Sequence, residues 1–333
     1  MKTLLVLCGL LIGGGALAAE PGYHVIKKIP LGGEGGWDYL TVDGAARRLY
    51  VSRGNHVMVV DLETDKLAGD IPDTQGVHGI AIAQEFNRGF TSNGRANTST
   101  IFDLKTLRVL GQVNTGANPD AILYDPASKK VFTFNGRSKD ATAFDAATGE
   151  VAKTIALGGK PETGVADGKG KIYVNIEDTS EVVEIDSGKL EVTKRFPLKP
   201  GEEPSGMGLD AERHRVFSGC HNKMMTILDA DSGKVISTAP IGQGVDGNGF
   251  DPGTGLAFSS NGDGTLTVVR ESSPGKFEVG ETVPTERGAR TMAIDLATHR
   301  IYLPTAQFEQ AAEGSRQRPR PIADSFMILV VGK

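Results

Sequence analysis

The chain has 333 residues, with 41 acidic against 36 basic side chains and a formal charge of −5. That balance argues against a basic nucleic-acid groove, and the length suffices to bury a large core in one or two domains. Cys8 and Cys220 are the only cysteines, which excludes a framework of disulfides.

Lys2 precedes an apolar segment, Leu4–Ala18, that ends in the small residues Ala16 and Ala18. This pattern predicts a secretory signal peptide over residues 1–18, cleaved after Ala18 or Ala19, and too short to span a membrane. Cys8 lies inside that segment, too early for lipid attachment. Removal of the peptide makes the charge one unit more negative and leaves only Cys220, so no internal disulfide can form. An exported protein is expected, periplasmic or secreted. No later stretch is apolar enough to cross a bilayer. Residues 20–333 are expected to form one domain and a monomer.

Next in the chain is His24–Ile29, a short strand-like run. Trp37–Val42 reads as an inner strand and Arg48–Arg53 as a second. Gly54-Asn55 marks a hairpin turn. His56–Leu62 is a third strand, nearly all apolar, and Lys66–Ile71 a fourth, more polar one. The same unit recurs. Its anchors are Asp43, Ala83, Asp125, Asp167, Asp210, Asp251 and Asp295, separated by 40, 42, 42, 43, 41 and 44 residues. A turn follows each anchor, then an apolar run: Leu49–Ser52, Phe90–Asn93, Phe132–Asn135, Ile172–Asn175, Val216–Gly219, Ala257–Ser260 and Ile301–Pro304. A period of roughly 40–45 residues with four strands per unit predicts an all-β, seven-bladed β-propeller of four antiparallel strands per blade.

The seventh unit departs twice. Thr305–Asp324 (residues 305–324) replaces a short loop with a long one, poor in apolar residues, which reads as a mobile surface loop or as a lid over the ring face. After Ser325–Val331 the unit lacks a fourth strand. His24–Ile29 resembles the outer strands Lys66–Ile71 and Glu150–Ile155, so the N-terminal strand is expected to complete the last blade and close the ring, removing edges that invite aggregation.

The runs LYVS, IYVN and IYLP, each followed by a VxVxDxxTG-like segment, resemble the YVTN-repeat β-propellers, and among them periplasmic YncE-like proteins. The likeness covers the whole mature chain, through stretches such as Gly35–Asp43, Gly76–Ile82, Asn118–Asp125, Gly219–Met225, Gly244–Asp251 and Arg287–Asp295. It implies a seven-bladed ring with a binding or scaffold role and supplies no catalytic residues.

The turns after the anchors read as structural, with Asp, Gly, Ser and Thr satisfying backbone groups. The opposite face carries the blade-to-blade connections and the loops between second and third strands. There the inner strands begin with Asp38, His78, Asp120, Glu162, Ser205, Asp246 and Arg290, six of which can carry charge. These are expected around the channel mouth, either as a hydrated, mutually paired ring or as a polar ligand site. His56, Arg95, Arg137 and His221 join the candidates from the loop face, with Asn93, Asn135 and Asn261 nearby. Arg95 and Arg137 suit an anion, unless they pair with Asp120 or Glu162. A narrower reading takes Asp38, His56 and His78 as ligands of a divalent metal; otherwise His78 bonds a neighbouring blade and His56 caps its turn. No other cofactor is suggested. Cys220 reads as a packed thiol, and Trp37 as packing between blades or a stacking surface. No phosphate loop or nucleophile elbow occurs.

Three functions compete. The first is a non-catalytic exported propeller that binds a small polar or anionic ligand, or a periplasmic or outer-membrane protein, through this face. The second is a metal-assisted lactonase or hydrolase, which needs an ion with an open position. Single-stranded nucleic-acid binding ranks last, since aromatic platforms and a basic groove are missing.

Overall fold

The computed structural model describes residues 22–310 and 319–333, so the segment expected to be a signal peptide and the middle of the long loop lie outside the described residues. Twenty-eight described strands form seven antiparallel four-stranded sheets. Their inner strands are Leu40–Asp43, Val77–Ala83, Pro119–Asp125, Pro161–Ala166, Pro204–Asp210, Val245–Asp251 and Ala293–Asp295, each packed against the next round the ring. The fold is a seven-bladed β-propeller.

Alternation along the strands sends apolar side chains to both faces of every sheet, so the core lies between blades. Phe132 and Phe134 of blade 3 pack with Ile172, Val174 and Val183 of blade 4. Ile29, Tyr302 and Ile328 of blade 7 pack with Leu49, Val51 and Val60 of blade 1. Each such buried side chain contributes about 1.5–3 kcal/mol. Between blades 5 and 6 the inner strands come closer: a Cβ on Gly208 would lie 2.7 Å from the carbonyl carbon of Gly249. Only glycine permits that approach.

The anchor aspartates hold the turns. Asp125 accepts the amides of Ala127 (3.3 Å) and Ser128 (3.0 Å), and Asp251 that of Gly253 (2.9 Å). Ala83 has no such acceptor. There the turn is a short 3₁₀ helix, Gln84–Phe86, ended by Asn87 at φ 51°, and the Gln84 amide donates to Asp43 of the preceding blade.

Blade 1 corrects the expected first strand. Regular pairing starts at Leu40, not Trp37. Asp38 and Tyr39 leave the ladder because their amides go elsewhere, Asp38 N–H to Ser52 Oγ (2.9 Å) and Tyr39 N–H to the carbonyl of His78 in blade 2 (3.2 Å). Trp37 packs on Phe326 and Phe308, with ring centroids 5.3 and 6.2 Å away. The described ends of the long loop pair with each other, Phe308 opposite Pro321.

Blade 7 is closed as the missing strand requires. His24–Pro30 pairs antiparallel with Met327–Gly332, from His24 opposite Gly332 to Pro30 opposite Met327. Ile29 is buried in the core between blades 7 and 1. Truncation of Ile29→Ala should therefore lower stability by about 2–5 kcal/mol, read as a drop in the denaturant midpoint. Deletion of residues 22–31 should lower it further; an unchanged midpoint would refute the closure.

Candidate functional site

All seven strand-start residues line one cavity of about 1110 Å³ at the ring mouth: Asp38, His78, Asp120, Glu162, Ser205, Asp246 and Arg290. They are brought together by the blade period: five lie at the starts of inner strands, and Asp38 and Arg290 precede theirs in the matching connections. Their charges interlock. His78 Nδ1 lies 2.6 Å from Asp38 Oδ2 and 3.2 Å from Asp120 Oδ1. Arg290 Nε donates to Asp246 Oδ2 (2.6 Å), and its guanidinium is 3.6 Å from Asp38 Oδ1. Ser205 Oγ donates to Asp246 Oδ1 (2.8 Å).

Two further residues complete the cavity. Tyr39 reaches across the channel from blade 1 to blade 4, its phenol oxygen 3.2 Å from Thr163 Oγ1. It is a floor to the mouth. Burial, then the carboxylates of Asp246, Asp120, Asp38 and Glu162, hold its pKa well above the usual phenol range, so it stays neutral. The equivalent positions in the other blades are Gly79, Ala121, Thr163, Gly206, Gly247 and Thr291. One bulky residue among six small ones is the sequence signal that marks it. Lys160 also stands out, since the matching positions two residues before the mouth in blades 1, 2, 6 and 7 are glycines: Gly36, Gly76, Gly244 and Gly288. Its ammonium lies 2.7 Å from Glu162 Oε1 and also pairs with Glu177.

Burial and neighbouring carboxylates resist the charge of Asp120, Glu162 and Asp246 at the mouth. Burial pushes Asp120 up to about 6, against the pull of His78. Burial, then the nearby Asp38 charge, raises Asp246, against Arg290 and Ser205. Glu162 is pushed up to about 8 by burial and then by Asp120, with Lys160 opposing. For His78 burial disfavours the imidazolium, yet Asp38, Asp120 and Glu162 together outweigh it and raise its pKa.

The loop-face candidates divide. His221 lines the same cavity, 3.6 Å from Glu203 and 3.9 Å from Glu177. Arg95 and Arg137 line a second cavity of about 560 Å³ that shares Asp38, His78 and Arg290 with the first. Neither arginine has a carboxylate within 4.0 Å among the described residues, so the expected pairing with Asp120 or Glu162 is not formed. His56 lines neither cavity. It starts the third strand, opposite Arg53 on the second, and its Nδ1 faces Asp70 of the fourth strand at 3.4 Å. Its ring is taken up with Asp70 and it joins no ligand cluster with Asp38 and His78, which corrects the metal set of Asp38, His56 and His78, and no bond from its ring to the turn is formed among the described residues. Asn93, Asn135 and Asn261 are buried and structural, bonding Thr100 (2.9 Å), Thr142 (3.0 Å) and Thr267 (3.1 Å) on the next strand. Cys220 is buried beneath the face, and burial pushes its thiol up to about 12.

Two solved structures share this architecture. The chain is similar to a structure of Kuenenia stuttgartiensis hydrazine synthase, with TM-score 0.70 and 14% identity, over 80% of this chain and 92% of that one. It is also similar to a structure of U3-55K, with TM-score 0.75 and 9% identity, over 91% of this chain and 97% of that one. At these identities the likeness is one of fold. No protein-family model and no curated protein matches the chain.

Two predictions follow from the burial of these groups. The folded pKa of Glu162 lies above its ordinary value of 4.5. The native state thus keeps a proton that the unfolded chain releases. That contribution to stability is full below about pH 4.5 and is lost as the pH rises through about 8. Glu162→Gln, which cannot ionise, should flatten the fall in melting temperature between about pH 5 and 9; an unaltered slope would contradict the raised pKa. Separately, in protein lacking residues 1–18, a thiol probe at about pH 8 should label Cys220 only after denaturation, because buried neutral thiols are inert. Rapid labelling of the native protein would contradict its burial.

Proposed function

We propose that this chain is an exported propeller of the YVTN-repeat, YncE-like type that binds a small polar ligand in the mouth cavity without catalysing its conversion. One observation carries the reading: seven charged or polar strand-start residues, one from each blade, face a single cavity of about 1110 Å³. A scaffold needs no such convergence. Burial and mutual repulsion raise Asp120, Glu162 and Asp246, so the arrangement has a cost in the free protein that a ligand bearing donors or positive charge relieves. Arg290 and Lys160 offer counter-groups for an acceptor on the same molecule. Tyr39, spanning from blade 1 to Thr163 of blade 4, lines the cavity and narrows it. Export rests on Lys2 and the apolar Leu4–Ala18 segment, and the repeat runs support the family. Fold architecture favours a binding scaffold, since propellers host unrelated chemistries at this face.

A thermal-shift screen of small amines, sugars, amino acids and carboxylates, in the presence of chelator, tests the reading. A ligand at roughly 100 times its Kd stabilises by about 2.7 kcal/mol, enough to raise the melting temperature measurably. Glu162→Gln and Ser205→Ala should reduce that rise. If no compound shifts the parent, or the variants respond as the parent does, the mouth is not the binding site. Turnover of lactone or ester substrates by the metal-loaded protein, lost in Asp120→Asn, would favour the hydrolase reading instead.

A further inference from the structure

We propose that Asp38, His78 and Asp120 form a divalent-metal site on the wall of the mouth cavity, suited to a first-row ion such as zinc or manganese. The three residues come from blades 1, 2 and 3, and one nitrogen and two carboxylate oxygens lie within 4.8 Å of one another. His78 Nδ1 stands 2.6 Å from Asp38 Oδ2 and 3.2 Å from Asp120 Oδ1. Ligand atoms bound at about 2.0–2.2 Å to one ion sit about 3 Å apart. The 3.2 Å spacing matches that edge length, and the 2.6 Å hydrogen-bonded pair must open to admit the ion, with the proton displaced.

The arrangement is incomplete without a cation. A single imidazole N–H can donate fully to only one of the two carboxylates, and Asp38 takes it. The Asp120 carboxylate, only 18% exposed, accepts no hydrogen bond from any described donor, its sole close contact being His78 Nδ1 at 3.2 Å. Arg290 does not supply the missing charge, because its short contact is to Asp246 (2.6 Å). A divalent ion satisfies both carboxylates and the nitrogen together, and the mixed nitrogen and oxygen set suits borderline ions. The site opens onto the cavity, which leaves coordination positions for water or a ligand.

Gly94 seats the histidine. A Cβ there would lie 2.6 Å from His78 Nε2, so any side chain would displace the ring from its present position. Arg95, next in sequence, and Arg137 line the adjoining cavity without carboxylate partners. An anionic group bound to the ion meets these guanidinium groups at the rim, where their planar forks suit carboxylate or phosphate.

This site deepens the reading of the mouth as a ligand cavity, and the two can fail separately. Untagged protein, stripped with chelator, is titrated calorimetrically with zinc, manganese and calcium in turn. One ion per chain is expected for zinc or manganese. His78→Ala and Asp120→Asn should weaken uptake by about tenfold or more, Gly94→Ala should also weaken it, and His56→Ala should leave it unchanged. Asp120→Asn keeps the shape of the side chain and preserves the test if His78→Ala fails to fold. Absence of stoichiometric uptake of zinc and manganese, or uptake unaltered in Asp120→Asn, overturns the metal site. A ligand-induced thermal shift in chelator would still stand in that event, and would retain the cavity without the ion.

Discussion

Pairing of His24–Pro30 with Met327–Gly332 is the contact on which the rest of the ring depends. Six sheets are each built from one contiguous stretch of chain; the seventh is built from both ends. Because the apolar core lies between blades, a missing strand in one sheet exposes the edges of its neighbours as well. Main-chain hydrogen bonds from Leu31 and Gly32 to the carbonyl of Phe326 extend the closure past the strand. The chain then passes over Arg53, whose buried guanidinium donates to the carbonyls of Gly35 (2.6 Å), Gly33 (2.9 Å) and Glu34 (3.0 Å) and lies over the Phe326 ring. Burial lowers its pKa to about 10, yet it remains charged. This clasp delivers Trp37, Asp38 and Tyr39 to the mouth, so closure and site geometry are one structural event.

The mouth has a second organising constraint, in the opposite direction. Sevenfold repetition carries side chains to a common axis whatever their charge. Packing elsewhere separates like charges, but here Asp38, Asp120, Glu162 and Asp246 converge, and Arg290, His78 and Lys160 are set between them. In a partly desolvated cavity such pairs are expensive to break and costly to leave incomplete. Asp246 is well matched, by Arg290 and Ser205. Asp120 is poorly matched, with one contact to a histidine already bonded to Asp38. The uneven matching gives the cavity a direction: its wall at blades 1 to 3 is short of positive charge, while the adjoining cavity carries Arg95 and Arg137, which have no carboxylate partner among the described residues.

Much of this was legible as spacing. The anchors at intervals of 40 to 44 residues gave blade number and strand order, and the absent fourth strand of the last unit required the N-terminal run to complete it. Aligning the units placed Asp38, His78, Asp120, Glu162, Ser205, Asp246 and Arg290 at one ring position. Tyr39 was visible in the same alignment as a large residue among small ones, although charge drew attention to its neighbour. His56 was read correctly as the start of a third strand, but that position does not say where its ring turns, and it faces Asp70 of the fourth strand. The buried asparagines were ambiguous for a related reason: Asn93, Asn135 and Asn261 end second strands, where a polar residue can face either solvent or the next strand.

Sequence alone thus determined the fold class, the blade count, the closing strand and the ring of mouth residues, because a period and a residue type are one-dimensional properties that repetition makes visible. Tertiary structure decided the rest: that Asp38, His78 and Asp120 meet while His56 does not, that Tyr39 spans the channel to Thr163, and that Arg95 and Arg137 have no carboxylate partner among the described residues. These depend on distances of 2.6 to 3.2 Å between side chains from different blades. Such distances follow from blade packing and rotamers, which a repeat length does not encode.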